Sequence, residues 1–77
     1  MPEVTIYTTP TCPWCHRLKD FLRQRGVAFT EIDVSRDPTG ARRLVELTGA
    51  RSVPVTVADG RTVVGFDREA LEKLFPV

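Results

Sequence analysis

The sequence contains no long apolar run; its hydrophobic stretches are a few residues each, far short of a membrane span. It carries no excess of charge. Eleven basic and ten acidic side chains leave a formal charge of +1, which offers no electrostatic footprint for nucleic acid or an acidic membrane. The first residues, MPEVTIYTTP, lack the basic stretch and apolar core of a secretory leader. There is no internal repeat, no low-complexity tract and no linker. These absences set the expectation of one small domain over residues 1–77. It is expected in the cytoplasm as a monomer, with neither nucleic-acid nor membrane partners.

Cysteine is also scarce. There are two, Cys12 and Cys15, with one histidine, His16. In a reducing cytosol a purely structural disulfide is not expected. A bridge across two intervening residues would also close a minimal loop and remove little unfolded-state entropy. A structural zinc site needs four ligands, and these three side chains fall short, so no metal site is expected within one chain. His16 directly follows Cys15 and points about 100° away from it around a helix. The plain alternative is two inert packed thiols, since free cysteine is often buried.

What is present is a regular alternation of short elements. EVTIY (3–7) alternates and is β-branched, which predicts a strand. TTPT breaks it. A helix follows, with Pro13 at its first position, where a missing N–H is no loss. Leu18, Phe21 and Leu22 recur at helical spacing, and Gly26 is a good stop. VAFTEIDV (27–34) predicts a second strand. Asp37-Pro38 caps a second helix with Ala41, Leu44, Val45 and Thr48 on one face and Gly49 ending it. VPVTV (53–57) is a third strand, and Asp59-Gly60 turns it into a fourth, TVV (62–64). Asp67 can cap a last helix whose inner face carries Leu71, Leu74 and Phe75. The order is βαβαββα, and its first strand–helix–strand unit predicts a right-handed parallel crossover.

The cysteine pair lies after the first strand and at the head of the first helix, the setting of a thiol–disulfide redox site. The nucleophile in disulfide exchange is a thiolate. At a helix start Cys12 meets unpaired N–H groups and the positive end of the helix dipole, and both favour the anion. Cys15 sits a turn further in. It can attack a mixed disulfide on Cys12 and release the product. No metal or organic group is needed for that chemistry.

At this point a family becomes visible. YTTPTCPWCHRLKDFL, GARSVPV and VVGFD resemble the glutaredoxins over nearly the whole chain. CPWC resembles the dithiol CPYC motif, SVP resembles TVP, and GFD resembles the glycine–x–aspartate step before the last helix. The resemblance implies a thioredoxin fold, a four-stranded mixed sheet flanked by three helices. It implies that Cys12 is the exposed nucleophile, that Cys15 is the buried resolving thiol, and that Val53-Pro54 is a cis peptide facing them. The residues alone favour a trans Pro54 guarding a sheet edge. A cis bond would free the Val53 backbone to pair with an extended substrate.

Other side chains join the candidate site. Trp14, between the cysteines, reads as an exposed aromatic lid over a peptide-like substrate, and Tyr7 as core. His16 reads as a surface residue without a partner, and Lys19 as an exposed, screened charge that affects the thiols little. Asp67 caps the last helix, worth about 1 kcal/mol, and the resemblance implies that it also holds a substrate amine. Gly65 lets backbone approach closely. The candidate substrate- or glutathione-binding set is Thr9, Trp14, Val53, Pro54, Gly65, Phe66 and Asp67; none is a metal ligand.

Two positions depart from the family's pattern. Thr9 stands where a lysine commonly meets a glutathione carboxylate, and Val64 where a glycine is common. Arg51, Arg42 and Arg43 are the cations that could replace the lost charge. Gly65-Phe66 is similar to redoxins that serve ribonucleotide reductase and are recharged by thioredoxin reductase. The expected activity is therefore reduction of protein or glutathione disulfides, with glutathione as donor or co-substrate, or thioredoxin reductase as the recharging system. The rival of another class is a dimeric module holding an iron–sulfur cluster between two Cys12 thiolates and two glutathiones.

Overall fold

In the computed structural model, which describes residues 3–76, the elements follow the expected order. They are β1 (Val4–Thr8), α1 (Pro13–Gln24), β2 (Thr30–Asp33), α2 (Pro38–Thr48), β3 (Val55–Ala58), β4 (Arg61–Val64) and α3 (Arg68–Leu74). The strands form one sheet in the order β2-β1-β3-β4. β1 runs parallel to β2, with Ile6 opposite Glu31 and Thr8 opposite Asp33. β3 is antiparallel to both β1 and β4, placing Val55 opposite Tyr7 on one side and Val64 on the other.

Successive residues of a strand point to opposite faces, and β1 is buried on both. Val4 and Ile6 join Leu18, Phe21 and Leu22 of α1 and Leu71 of α3 in one core cluster. Tyr7 joins Leu44 of α2 and Val55 in another. The sheet is thus covered by α1 and α3 on one face and by α2 on the other. Tyr7 is core, as expected.

The caps follow the sequence. Asp37 accepts a hydrogen bond from the Gly40 N–H at 2.9 Å, and Asp67 from the Ala70 N–H at 3.2 Å. The Asp59-Gly60 turn has positive φ at both residues, 52° and 73°, the conformation a two-residue hairpin needs to match the twist of its strands. Gly40 is a different case. A Cβ there would lie 2.5 Å from Ile32 Cγ2, so α2 rests on β2 with no room for a side chain.

Four expectations change. β2 begins at Thr30 rather than residue 27, because the Val27 N–H is taken by the Leu22 carbonyl at 2.9 Å and belongs to the end of α1. β3 begins at Val55 rather than residue 53. The bond before Pro54 is cis, against the residue-only expectation and in line with the resemblance. Pro54 guards no edge: it is buried and leads into β3, an interior strand. On α2, Val45 is exposed while Leu44 alone of the pair is buried.

Candidate active site

Cys12 is the N-cap residue of α1, with extended backbone (φ −93°, ψ 110°), and Pro13 opens the helix. Pro13 supplies no N–H, so the first orphan donors of the helix lie further in, and one of them reaches the sulfur. The Cys15 N–H donates to Cys12 Sγ at 3.2 Å. A sulfur accepting a helix N–H is better solvated as an anion than as a thiol. The loop that delivers Cys12 is closed by its own N–H, which donates to the Thr9 carbonyl at 3.4 Å. Cys12 Sγ also lies 4.0 Å from the Val53 carbonyl oxygen.

The second thiol is in a different world. Cys15 is fully buried, and both cysteines are free. Burial pushes the Cys15 thiol up to about 12, the hydrogen bond and charge of Cys12 push it the same way, and the Thr9 N–H and the Lys19 charge oppose them. At neutral pH it therefore rests as the protonated partner.

Beside Cys12 runs a groove of about 260 Å³ lined by Trp14, Val53, Pro54, Gly65 and Phe66. These are five of the seven residues expected to bind substrate. Trp14 is 53% exposed. It is not loose: its ring stacks on Phe66 at 6.1 Å between centroids, and the Arg17 guanidinium sits 4.9 Å from its centre. Phe66 in turn meets Phe21 of the core edge-on at 5.9 Å. An exposed ring is thereby tied to the buried helix face through one intermediary. The opposite wall is fixed by the Gly65 N–H, which donates to the Pro54 carbonyl at 2.7 Å. Gly65 has φ 76°, and a Cβ there would meet nothing within 4 Å. Conformation rather than crowding asks for glycine here, and the space above it is open.

The remaining two candidates stand apart from the groove lining. Thr9 meets the cysteines through its backbone, its carbonyl accepting from the Cys12 N–H. Asp67 caps α3 directly after Phe66, and its exposed carboxylate is engaged with the Ala70 N–H.

Three groups near the thiols were not legible in the sequence. His16 is exposed but not without a partner: its Nε2 lies 3.1 Å from the Pro10 carbonyl and ties α1 to the loop before Cys12. Lys19 is not an exposed, screened lysine. Its side chain retains 15% of its surface and pairs with Glu31 at 3.1 Å. Glu31 also accepts from the Thr8 hydroxyl at 2.6 Å. Arg42, Arg43 and Arg51 are exposed. Among the described residues no three His, Cys, Asp or Glu side chains stand close enough to hold a metal ion.

The Glutaredoxin family model matches residues 4–63. The chain belongs to the glutaredoxin family. It is 41% identical over 75 residues to a glutaredoxin of Pseudomonas aeruginosa, covering 95% of this chain and 88% of that one. It is 32% identical over 71 residues to the glutaredoxin-like protein NrdH of Lactococcus lactis, covering 92% and 97%. Among solved structures, the glutaredoxin-like NrdH-redoxin of Escherichia coli, described as having a thioredoxin-like activity profile, superposes with a TM-score of 0.85. Its identity is 35%, with 97% of each chain covered. The four-stranded mixed sheet with three helices is the thioredoxin fold. Family membership makes this chain a thiol–disulfide oxidoreductase in general terms. No helix among the described residues is long and apolar enough to cross a membrane.

Proposed function

We propose that this chain reduces disulfides by a dithiol exchange in which Cys12 attacks and Cys15 resolves. The observation that carries this reading is the asymmetry of the pair. One sulfur stands at a helix N-terminus, partly exposed, accepting an N–H and flanked by an open groove. The other is buried, and burial keeps it protonated. The Cys12 thiolate attacks one sulfur of the substrate disulfide; the other sulfur leaves with the bonding pair and takes up a proton. Cys15 then loses its proton and attacks Cys12 Sγ. The second substrate sulfur leaves, and the Cys12–Cys15 disulfide remains until a reductant restores it. The groove supports an extended peptide laid between the Trp14–Phe66 pair and the Val53-Pro54 segment. There the Val53 backbone, outside the β3 ladder, is available for strand-like pairing.

The donor follows from what surrounds the groove. Glutathione brings two carboxylates and an amine. Asp67 suits the amine, but Thr9 supplies no cation, and Val64 stands exposed where the family often has glycine. The similarity to the NrdH-type relatives supports a protein reductase of the thioredoxin-reductase kind as the faster donor, with glutathione measurable but slow. Protein disulfides and glutathione mixed disulfides are the proposed substrates, the cytoplasm the proposed location and the single chain the proposed working unit.

The test takes two steps. Cys15→Ser is expected to accumulate a mixed disulfide on Cys12, seen as added mass that a second thiol removes. Alkylation of Cys15 alone at neutral pH would reverse the assignment. The wild-type protein is then recharged in parallel by glutathione with glutathione reductase and by thioredoxin reductase, each with NADPH. Faster turnover with glutathione would overturn the donor assignment.

A further inference from the structure

Thr8, Lys19 and Glu31 come from three different elements and meet where α1 has run one turn past the buried thiol. Thr8 ends β1 and is 1% exposed, and its hydroxyl donates to Glu31 Oε2 at 2.6 Å. The same carboxylate oxygen holds Lys19 Nζ at 3.1 Å. Lys19 follows Cys15 by one turn of α1, so the two share a helix face. Two groups around Cys15 favour its thiolate, the Thr9 N–H and the Lys19 charge. Lys19 is anchored through Glu31, which the Thr8 hydroxyl holds in turn. A lysine held in this way cannot swing into solvent, where its field would be screened.

We propose, on the dithiol reading given above, that the Thr8–Glu31–Lys19 contact positions a cation against Cys15 for the resolving step. In the resting protein the Cys12 sulfur, as acceptor and as charge, helps burial keep Cys15 protonated. In the mixed disulfide Cys12 carries no charge and that opposition disappears. Burial is then balanced only by the Thr9 N–H and Lys19. Cys15 gives up its proton, and its sulfur bonds to Cys12 Sγ. The bond from Cys12 Sγ to the substrate sulfur breaks, and the departing thiolate takes a proton. The two cysteines lose two electrons and the substrate sulfurs gain them. The charged and titratable groups facing Lys19 are the Cys15 thiol and Glu31 of β2, whose carboxylate also feels Arg23 of α1. Lys19 and Glu31 touch no substrate atom; they are positioning residues.

The expected size follows from two opposing effects. Moving a thiol up by one unit lowers its thiolate fraction about tenfold. The more basic thiolate is also about threefold more nucleophilic. Losing Lys19 should therefore slow resolution about threefold at neutral pH and move its pH profile upward.

The experiment is a single turnover of the full chain with a symmetric aromatic disulfide whose released thiol is coloured. The first release reports attack by Cys12 and the second reports resolution by Cys15. Lys19→Met is expected to leave the first release unchanged, slow the second about threefold and move its pH profile upward, with Lys19→Arg restoring most of it. In a Cys12→Ser background, ultraviolet thiolate absorbance should show Cys15 titrating higher in Lys19→Met. Glu31→Gln decides between charge and position. Removing a negative charge would by itself favour the thiolate and speed resolution, whereas loss of the anchor slows it. An unchanged second release in Lys19→Met, or a faster one in Glu31→Gln, overturns the proposal. Glu31→Gln decides alone if Lys19→Met does not fold. Absence of the first release in the wild-type protein would instead remove the dithiol reading and leave the Lys19 contact a structural one.

Discussion

The two ends of α1 each border a hollow, and the larger hollow has no thiol chemistry. At the C-terminal end a space of about 550 Å³ is lined by Val4, Arg25, Val27, Phe29 and Phe75, among others. At the N-terminal end the groove beside Cys12 is about half that size. The far hollow is mostly apolar, with Glu3 and Arg25 as its charged wall residues, and Arg25 is occupied: it lies over the Phe21 ring at 4.1 Å and reaches Glu72 at 3.9 Å. The near groove has a helix cap, a sulfur accepting an N–H, an exposed aromatic and an open backbone segment. Reactivity here depends on what the helix terminus points at, and volume is a poor guide to it. A helix offers donors at its start and acceptors at its end, so a thiolate is stabilised at one end only.

The comparison breaks most sharply at Cys12. Cys12→Ser should abolish disulfide reduction, whereas Ala28→Arg, which fills the far hollow, should leave the rate within about twofold because the sites do not share partners. Coupled turnover of a small disulfide measures both, and a lost rate in Ala28→Arg would show that the two ends communicate. The next effect is at the near groove's missing cation. A charge-assisted hydrogen bond contributes roughly 1.5–3 kcal/mol. Thr9→Lys should therefore raise the rate of deglutathionylation about tenfold, and equal rates would show that another group, Arg51 among the candidates, already meets that carboxylate. Smaller again is the link between groove and core. Phe66→Ala removes both the Trp14 stack and the edge contact to Phe21. It should cost about 2 kcal/mol in denaturant unfolding, below the value for a fully buried ring, and raise KM for a peptide disulfide.

The smallest effect is acidic. The Thr8 hydroxyl, and after it Lys19, hold the Glu31 carboxyl below its ordinary 4.5 against the opposing effect of burial. Its folded value lies below its unfolded one, so its contribution is present above about pH 4.5 and fades as pH falls through the folded value. The contribution is under about 1 kcal/mol, because the carboxylate is partly solvated. The stability gap between wild type and Glu31→Gln should shrink below that pH in urea titrations. A constant gap would place the loss elsewhere than in this carboxyl.

How much of this was readable from the chain depends on the range of each contact. Pro13 and Gly26 around α1, Asp37 and Asp67 as caps, and Asp59-Gly60 as a hairpin turn are short-range signals, and all appear where the residues put them. The groove was legible through motif resemblance, which named Trp14, Val53, Pro54, Gly65 and Phe66 together. What failed was long-range. Lys19 looked solvated because its partner, Glu31, is on a neighbouring strand, and the Thr8 hydroxyl that completes the contact belongs to a third element. Pro54 looked like an edge guard because no local feature says that its strand lies inside the sheet. Val45 and Leu44 both fit an apolar stripe, and only the packing of α2 on the sheet decides which turns inward.

The arrangement of Trp14 has an optical consequence. It is the chain's single tryptophan, set between the two cysteines, half in solvent and stacked on Phe66. All indole emission therefore originates at the head of α1, between the two thiols, with no second indole to dilute it. Forming the Cys12–Cys15 bond, lodging a mixed disulfide on Cys12 or laying a peptide along the groove each changes what that one ring touches. The unlabelled protein thus reports its own redox state and occupancy as light.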